Sequence, residues 1–214
     1  MSLHAAYPWL VITHLGAASI MLPVFTVIAA GLWLAGQKST LRVWLLAMTV
    51  GIFIVLASKI AFIGWGWGNA FLDFTGISGH TMLATAVLPV WTNQLLVRSG
   101  RRFSLPGILL GLAIAATVGL SRWILGAHSP SEVIAGWLLG LAIVLIVCRT
   151  MNAQRPVQGV VGLAGLLMLL AFSPSLSAYF PTHRWEVELA LTLSGRTQPF
   201  VRQTLQRPLR SHGE

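Results

Sequence analysis

Runs of about twenty predominantly apolar residues constrain this chain more than any other feature, and they fall at about 8–35, 42–63, 80–97, 105–125, 131–148 and 157–173. A bilayer core of about 30 Å is crossed by roughly 20 helical residues, and inside it the backbone must satisfy its own hydrogen bonds. The expected fold is therefore all-α: a polytopic membrane helical bundle with about six transmembrane helices. Residues 1–173 read as one transmembrane helical domain, and 174–214 as a polar, Arg-rich C-terminal tail too short for a second domain. The opening "MSLHAAYPWL" lacks the basic start of a cleavable signal peptide, so the first run is expected to be a retained span. With 56% hydrophobic residues, 9% charged and a mean hydropathy of +0.78, the composition lies outside the range of soluble domains.

The formal charge is +9, from 14 Lys+Arg against 5 Asp+Glu. In a soluble protein this would raise the question of nucleic acid, but no basic groove interleaved with aromatics is present, and nucleic acid is not an expected partner. Position matters more here. Lys38 and Arg42 fall between spans 1 and 2, Arg98, Arg101 and Arg102 between spans 3 and 4, and Arg149 and Arg155 between spans 5 and 6. Basic residues in short loops mark the cytoplasmic side, so the loops after spans 2 and 4 are expected to face out. The single Cys148 excludes an intramolecular disulfide.

Ionisable groups in or beside spans cost roughly 2.5–3.5 kcal/mol on insertion scales and are functional candidates by default. Taken singly, each has a plain structural role. Lys59 and Arg122 fit residues that snorkel to the headgroups. In "SPSE", Ser129 fits an N-cap, Pro130 the first helical position and Glu132 the return partner of a capping box. His14, inside the first run, reads as a hydrogen-bonded core or interfacial histidine, and Asp73 lies in the loop after span 2. The set behaves differently. Lys59 and His80 flank one outer loop, Arg122 and His128 the other, so parity brings two imidazoles, two cations and the Glu132 carboxylate to one membrane face.

Two cations beside the amides of a Ser-Gly turn at a helix N-terminus suit an anion, with phosphate the obvious one. One imidazole can attack phosphorus, a second can protonate the leaving oxygen and then activate water, and a carboxylate can hold the nucleophilic ring in its reactive tautomer. With five acidic residues the chain does not assemble a two-metal carboxylate cage, and neither a metal nor another cofactor is expected.

These residues also carry a family resemblance. "SRWILGAH", Ser121 to His128, followed by Glu132, resembles the third signature of the type 2 phosphatidic acid phosphatase (PAP2) superfamily. "SGH", Ser78 to His80, is similar to its second signature, and Lys59 to the lysine that opens the first. The resemblance implies that His128 is the nucleophile, Glu132 its orienting acid and His80 the general acid and base. It also implies that Lys59, Arg122, Ser78, Gly79 and Ser121 hold the phosphate. Three positions depart from the pattern. Gly66-Trp67 stands where the family has Arg-Pro, Ile77 replaces a proline, and Glu132 replaces an aspartate. The first departure removes a phosphate-binding cation. Of the tail arginines, 184, 196, 202, 207 and 210, Arg184 and Arg196 are the expected substitutes because both have aromatic or apolar anchors beside them. The competing reading is a tail that binds anionic headgroups.

The Trp-rich stretch from Phe62 to Phe74 is expected to form an interfacial or re-entrant flap that guides a lipid tail, and Pro89 to kink the third span. The resemblance implies a metal-independent lipid phosphatase of the bacterial inner membrane with its site toward the periplasm. Its partners would be the bilayer and a lipid phosphate: polyprenyl diphosphate, phosphatidic acid, phosphatidylglycerol phosphate or lipid A. A lipid phosphotransferase using the same phosphohistidine, and a non-catalytic anion-binding or transport protein, are the alternatives; oligomeric state is left open.

Overall fold

The computed structural model describes residues 3–152, 161–163, 165–166 and 182–205. They form α1 (Leu3–His14), α2 (Ala18–Leu34), α3 (Lys38–Trp65), α4 (Gly79–Leu96), α5 (Leu105–Ile124), α6 (Pro130–Thr150), α7 (Thr182–Ser194) and the single turn α8 (Arg202–Leu205). Four stretches are long and apolar enough to cross a membrane: Ala6–Leu34, Lys38–Trp65, Leu105–Ile124 and Pro130–Thr150. The protein is a multi-pass helical membrane bundle. Residues 161–163 and 165–166 of the expected sixth span are helical; the rest of that span lies outside the described residues.

The third expected span is present as α4 but does not face lipid. Every residue from Thr81 to Gln94 is buried, including Thr85, Thr92, Asn93 and Gln94, because α2, α5 and α6 pack around it. A helix enclosed by others can carry polar side chains that a lipid-facing one cannot. Close approach is made possible by glycines four apart on the neighbours. A Cβ on Gly111 of α5 would lie 2.4 Å from the Pro89 Cα, and one on Gly136 of α6 would lie 2.8 Å from the Ser78 carbonyl oxygen. In lipid, where apolar contact brings no expulsion of water, such backbone proximity and dispersion hold helices together. Pro89 therefore faces a helix, and α4 runs through it unbroken.

The first apolar run, one candidate span, is built from two helices rather than one continuous helix. The chain breaks at Leu15–Ala17, where a Cβ on Gly16 would meet Val118 at 2.6 Å and the His80 carbonyl at 3.0 Å. The break lets α1 pack on α5 and α2 on α4, and it leaves His14 at the end of α1, beside the start of α4. The core between them contains Met21, Ile28, Trp44, Met48, Val87 and Val118.

The N-terminus of α6 forms as its sequence dictates. Ser129 Oγ accepts from the Glu132 amide at 3.4 Å, Glu132 Oε2 accepts from the Ser129 amide at 3.1 Å, and Pro130 opens the helix. Helix directions put Lys59, His80, Arg122 and His128 at one end of the bundle, and Lys38, Arg98, Arg102 and Arg149 at the other. Residues 182–205 fold back to the first end, where α7 packs against α3.

Candidate active site

A cavity of about 900 Å³ opens at that end, and Lys59, Gly79, His80, Arg122 and His128 all line it. The α3–α4 and α5–α6 connections thus bring His80, His128, Lys59 and Arg122 to one space. His80 lies within electrostatic reach of Arg122, Lys59, His128 and His14. The rest of the wall is largely apolar, with Leu22, Ile52, Leu56 and Leu83 running down α2, α3 and α4.

Glu132 sits behind the wall with no solvent exposure. Its Oε2 faces His128 Nδ1 at 2.7 Å. A carboxylate only accepts, so Nδ1 carries the proton and Nε2 keeps the lone pair of a nucleophile. Glu132 Oε1 accepts from the Thr75 amide at 2.7 Å and from Thr75 Oγ1 at 2.6 Å. The extra methylene of glutamate relative to aspartate is used to reach this second group on the loop before α4. Burial pushes His128 below the ordinary imidazole range; the Glu132 hydrogen bond and charge oppose this, while Arg122 and Lys59 reinforce it. The ring is therefore neutral at pH 7, as nucleophilic attack requires.

Arg122 is anchored by Nη1 donating to Thr13 Oγ1 at 3.1 Å, while its buried Nε has no hydrogen-bond partner among the described residues. An unpaired guanidinium N–H beside the cavity is a ready donor to an anion. Lys59 is held differently: its ammonium donates to both oxygens of Glu186 at 2.8 and 3.0 Å. Gly76 makes room for the lysine. Its φ is +148°, and a Cβ there would press 2.9 Å from Lys59 Cγ.

Several expected site residues lie elsewhere. Ser78 is buried, its hydroxyl accepting from Thr81 at 2.9 Å and its amide donating to the Glu132 carbonyl at 3.2 Å. Ser121 donates to the Val118 carbonyl at 2.6 Å within α5. Neither lines the cavity; each braces a helix end. Arg184 is 77% exposed and pairs with Glu188 one helical turn away, and Arg196 stacks over Phe200 at 4.3 Å. Neither reaches the cavity, because each is satisfied by a neighbour in its own segment. Arg202 does reach it, and so do Thr75, His14, His183 and Glu186. Pattern alone singles out none of these five, since each depends on how a loop or the tail folds back. In the Trp-rich stretch, Asn69 and Phe74 exchange backbone hydrogen bonds and Phe71 stands 96% exposed. Of that stretch only Phe62 and Ile63, at its start, face the cavity.

A family model described as the PAP2 superfamily matches residues 63–156. The chain is 33% identical over 205 residues to an uncharacterized 22.5 kDa protein in the cps region of Klebsiella pneumoniae, covering 93% of this chain and 98% of that one. It is 31% identical over 152 residues to phosphatidylglycerophosphatase B of Bacillus subtilis (strain 168), covering 65% of this chain and 74% of that one. No solved structure matches the chain.

Proposed function

Since the chain belongs to the PAP2 superfamily, we propose that it is a membrane lipid phosphatase that cleaves lipid phosphate or diphosphate monoesters through a phosphohistidine. One observation carries the reading: His128, His80, Lys59 and Arg122 share a cavity whose wall along α2, α3 and α4 is largely apolar. In the first step His128 Nε2 forms a bond to phosphorus as the bond to the lipid oxygen breaks, and His80, holding as imidazolium a proton taken up together with the anionic phosphate, gives that proton to the leaving oxygen. In the second, His80 takes a proton from water, the water oxygen bonds to phosphorus, the N–P bond breaks and phosphate leaves. Arg122, and Lys59 once Glu186 lets it go, stabilise charge on the phosphoryl oxygens. In this scheme positive charge comes from side chains, so no metal is needed.

The substrate is an amphiphile whose chain lies along the apolar wall. The Bacillus subtilis relative makes phosphatidylglycerol phosphate the first to test. Basic residues at the opposite end of the bundle support a site on the periplasmic side of a bacterial inner membrane. The test is phosphate release from a lipid panel by the purified protein, with and without chelator. Release that resists chelator and disappears in His128→Ala is expected. Tight binding without turnover would instead favour an anion-binding protein, and a phosphorylated acceptor in place of free phosphate would favour a transferase.

A further inference from the structure

The guanidinium of Arg202 is forked between two carboxylates. Nη1 donates to Asp73 Oδ2 at 2.6 Å and to the Asp73 carbonyl at 2.9 Å. Nη2 donates to Glu132 Oε1 and Oε2 at 2.8 and 2.7 Å, and to Thr75 Oγ1 at 3.2 Å. Asp73 is the one non-glycine residue with positive φ, +48°, among the described residues, a conformation held only where surrounding contacts favour it. One side chain from the C-terminal segment therefore gathers the loop before α4 and the first turn of α6.

The segment is seated on the end of α3. The Phe200 amide donates to the Ile63 carbonyl at 2.9 Å. The Phe200 ring lies where a side chain at position 66 would be: a Cβ on Gly66, whose φ is +73°, would come within 3.0–3.2 Å of it. Leu205 packs beside Phe62, Ile63 and Ala190. A large side chain at 66 would evict Phe200, so glycine there and arginine at 202 belong to one packing arrangement.

We propose that Arg202 is a positioning residue that fixes the orientation and charge of the Glu132–His128 pair, so that the C-terminal segment completes the active site. This rests on the reading of His128 as nucleophile. Glu132 Oε2 receives His128 Nδ1 and Arg202 together. Unopposed, a buried carboxylate would hold a second proton on the ring and remove its lone pair. Balanced by Arg202, it fixes the tautomer and leaves the ring neutral. The other charged and titratable groups facing His128 are Arg122 on α5, Lys59 on α3 and His80 on α4, and Arg202 touches none of them.

The test uses the full chain in detergent micelles carrying short-chain phosphatidic acid. Arg202→Ala, Arg202→Lys and Asp73→Asn are compared with Gln203→Ala, at the exposed neighbouring position. Histidine-ring NMR, with the His128 signal assigned by its loss in His128→Ala, follows titration without turnover. Arg202→Ala is expected to lower kcat about 100-fold with KM changed little, and to raise the His128 midpoint by about one pH unit. Asp73→Asn shifts both in the same direction by less, and adds nothing to Arg202→Ala, since both remove one clamp. Arg202→Lys restores part of kcat. A wild-type midpoint in a folded Arg202→Ala protein overturns the proposal, whether or not kcat falls. Should no variant, wild type included, release phosphate while the midpoint still moves, the phosphatase reading fails and the hold of Arg202 on the pair stands.

Discussion

Glu132→Gln keeps the shape of the side chain and removes its charge. Two carboxylate oxygens receive six donor contacts: Thr75 N, Thr75 Oγ1 and Arg202 on Oε1, and His128 Nδ1, Ser129 N and Arg202 on Oε2. A glutamine offers one acceptor oxygen, so its NH2 must face three donors whichever way it turns. Turned toward His128, it makes Nδ1 an acceptor and moves the ring proton to Nε2, which abolishes the nucleophile. Turned toward Thr75, it opposes the Thr75 amide and Arg202. The analogous carboxylate-to-amide change behind a catalytic histidine elsewhere costs about 10⁴ in kcat, or about 5 kcal/mol of transition-state stabilisation. Stability falls as well, but by less than the about 3–5 kcal/mol of a fully buried pair that loses one partner, because Arg202 is partly exposed and keeps the Asp73 carboxylate. Steady-state phosphate release, measured well below the lowered unfolding midpoint, separates the two losses. Glu132→Asp is the sharper comparison because it restores the residue typical of the family. The carboxylate retreats by about 1.5 Å, so it can meet His128 or Thr75 with Arg202, but not both, and a loss of about 10–100-fold in kcat is expected. Wild-type kcat in Glu132→Asp would refute the claim that this site is built around the longer side chain. More than a hundredth of kcat in Glu132→Gln would refute the tautomer argument.

Glu186→Gln frees the Lys59 ammonium from the carboxylate that now holds it. Inorganic phosphate is expected to inhibit about tenfold more tightly, a change of about 1.4 kcal/mol, and an unchanged inhibition constant counts against competition. Because burial lowers the His128 pKa, its NMR midpoint should lie below the reference value of about 6.5. Activity then persists at pH 7 and fails on the acid side. The stability contributed by keeping that ring neutral is present above the unfolded value and is lost as pH falls through the folded one; a midpoint above the reference contradicts both. Gly66→Ala forces a left-handed residue at about 1–2 kcal/mol and crowds Phe200, so protease cutting after Arg196 should quicken relative to wild type.

Local chemistry was legible. The "SPSE" pattern produced its capping box at Ser129–Glu132, and loop charge with helix parity placed Lys59, His80, Arg122 and His128 at one end. Ser78 and Ser121 lie outside the cavity lining, Ser78 accepting from Thr81 and Ser121 donating to the Val118 carbonyl, a placement the motif alone does not reveal. Arg184 and Arg196 were chosen for their neighbours, and those same neighbours hold them away from the cavity.

Periodicity and the need to satisfy backbone in lipid act over a turn or a span, so the primary sequence by itself determined where the apolar helices run, the capped start of α6 and the end of the bundle that gathers Lys59, His80, Arg122 and His128. Which of the tail arginines reaches the site, which helix is enclosed, and why Glu132 has its length were decided by tertiary structure alone. Each depends on contacts between residues far apart in the chain, such as Phe200 on Gly66 and Arg202 on Asp73 and Glu132. Such contacts leave no periodic trace in either partner's own sequence.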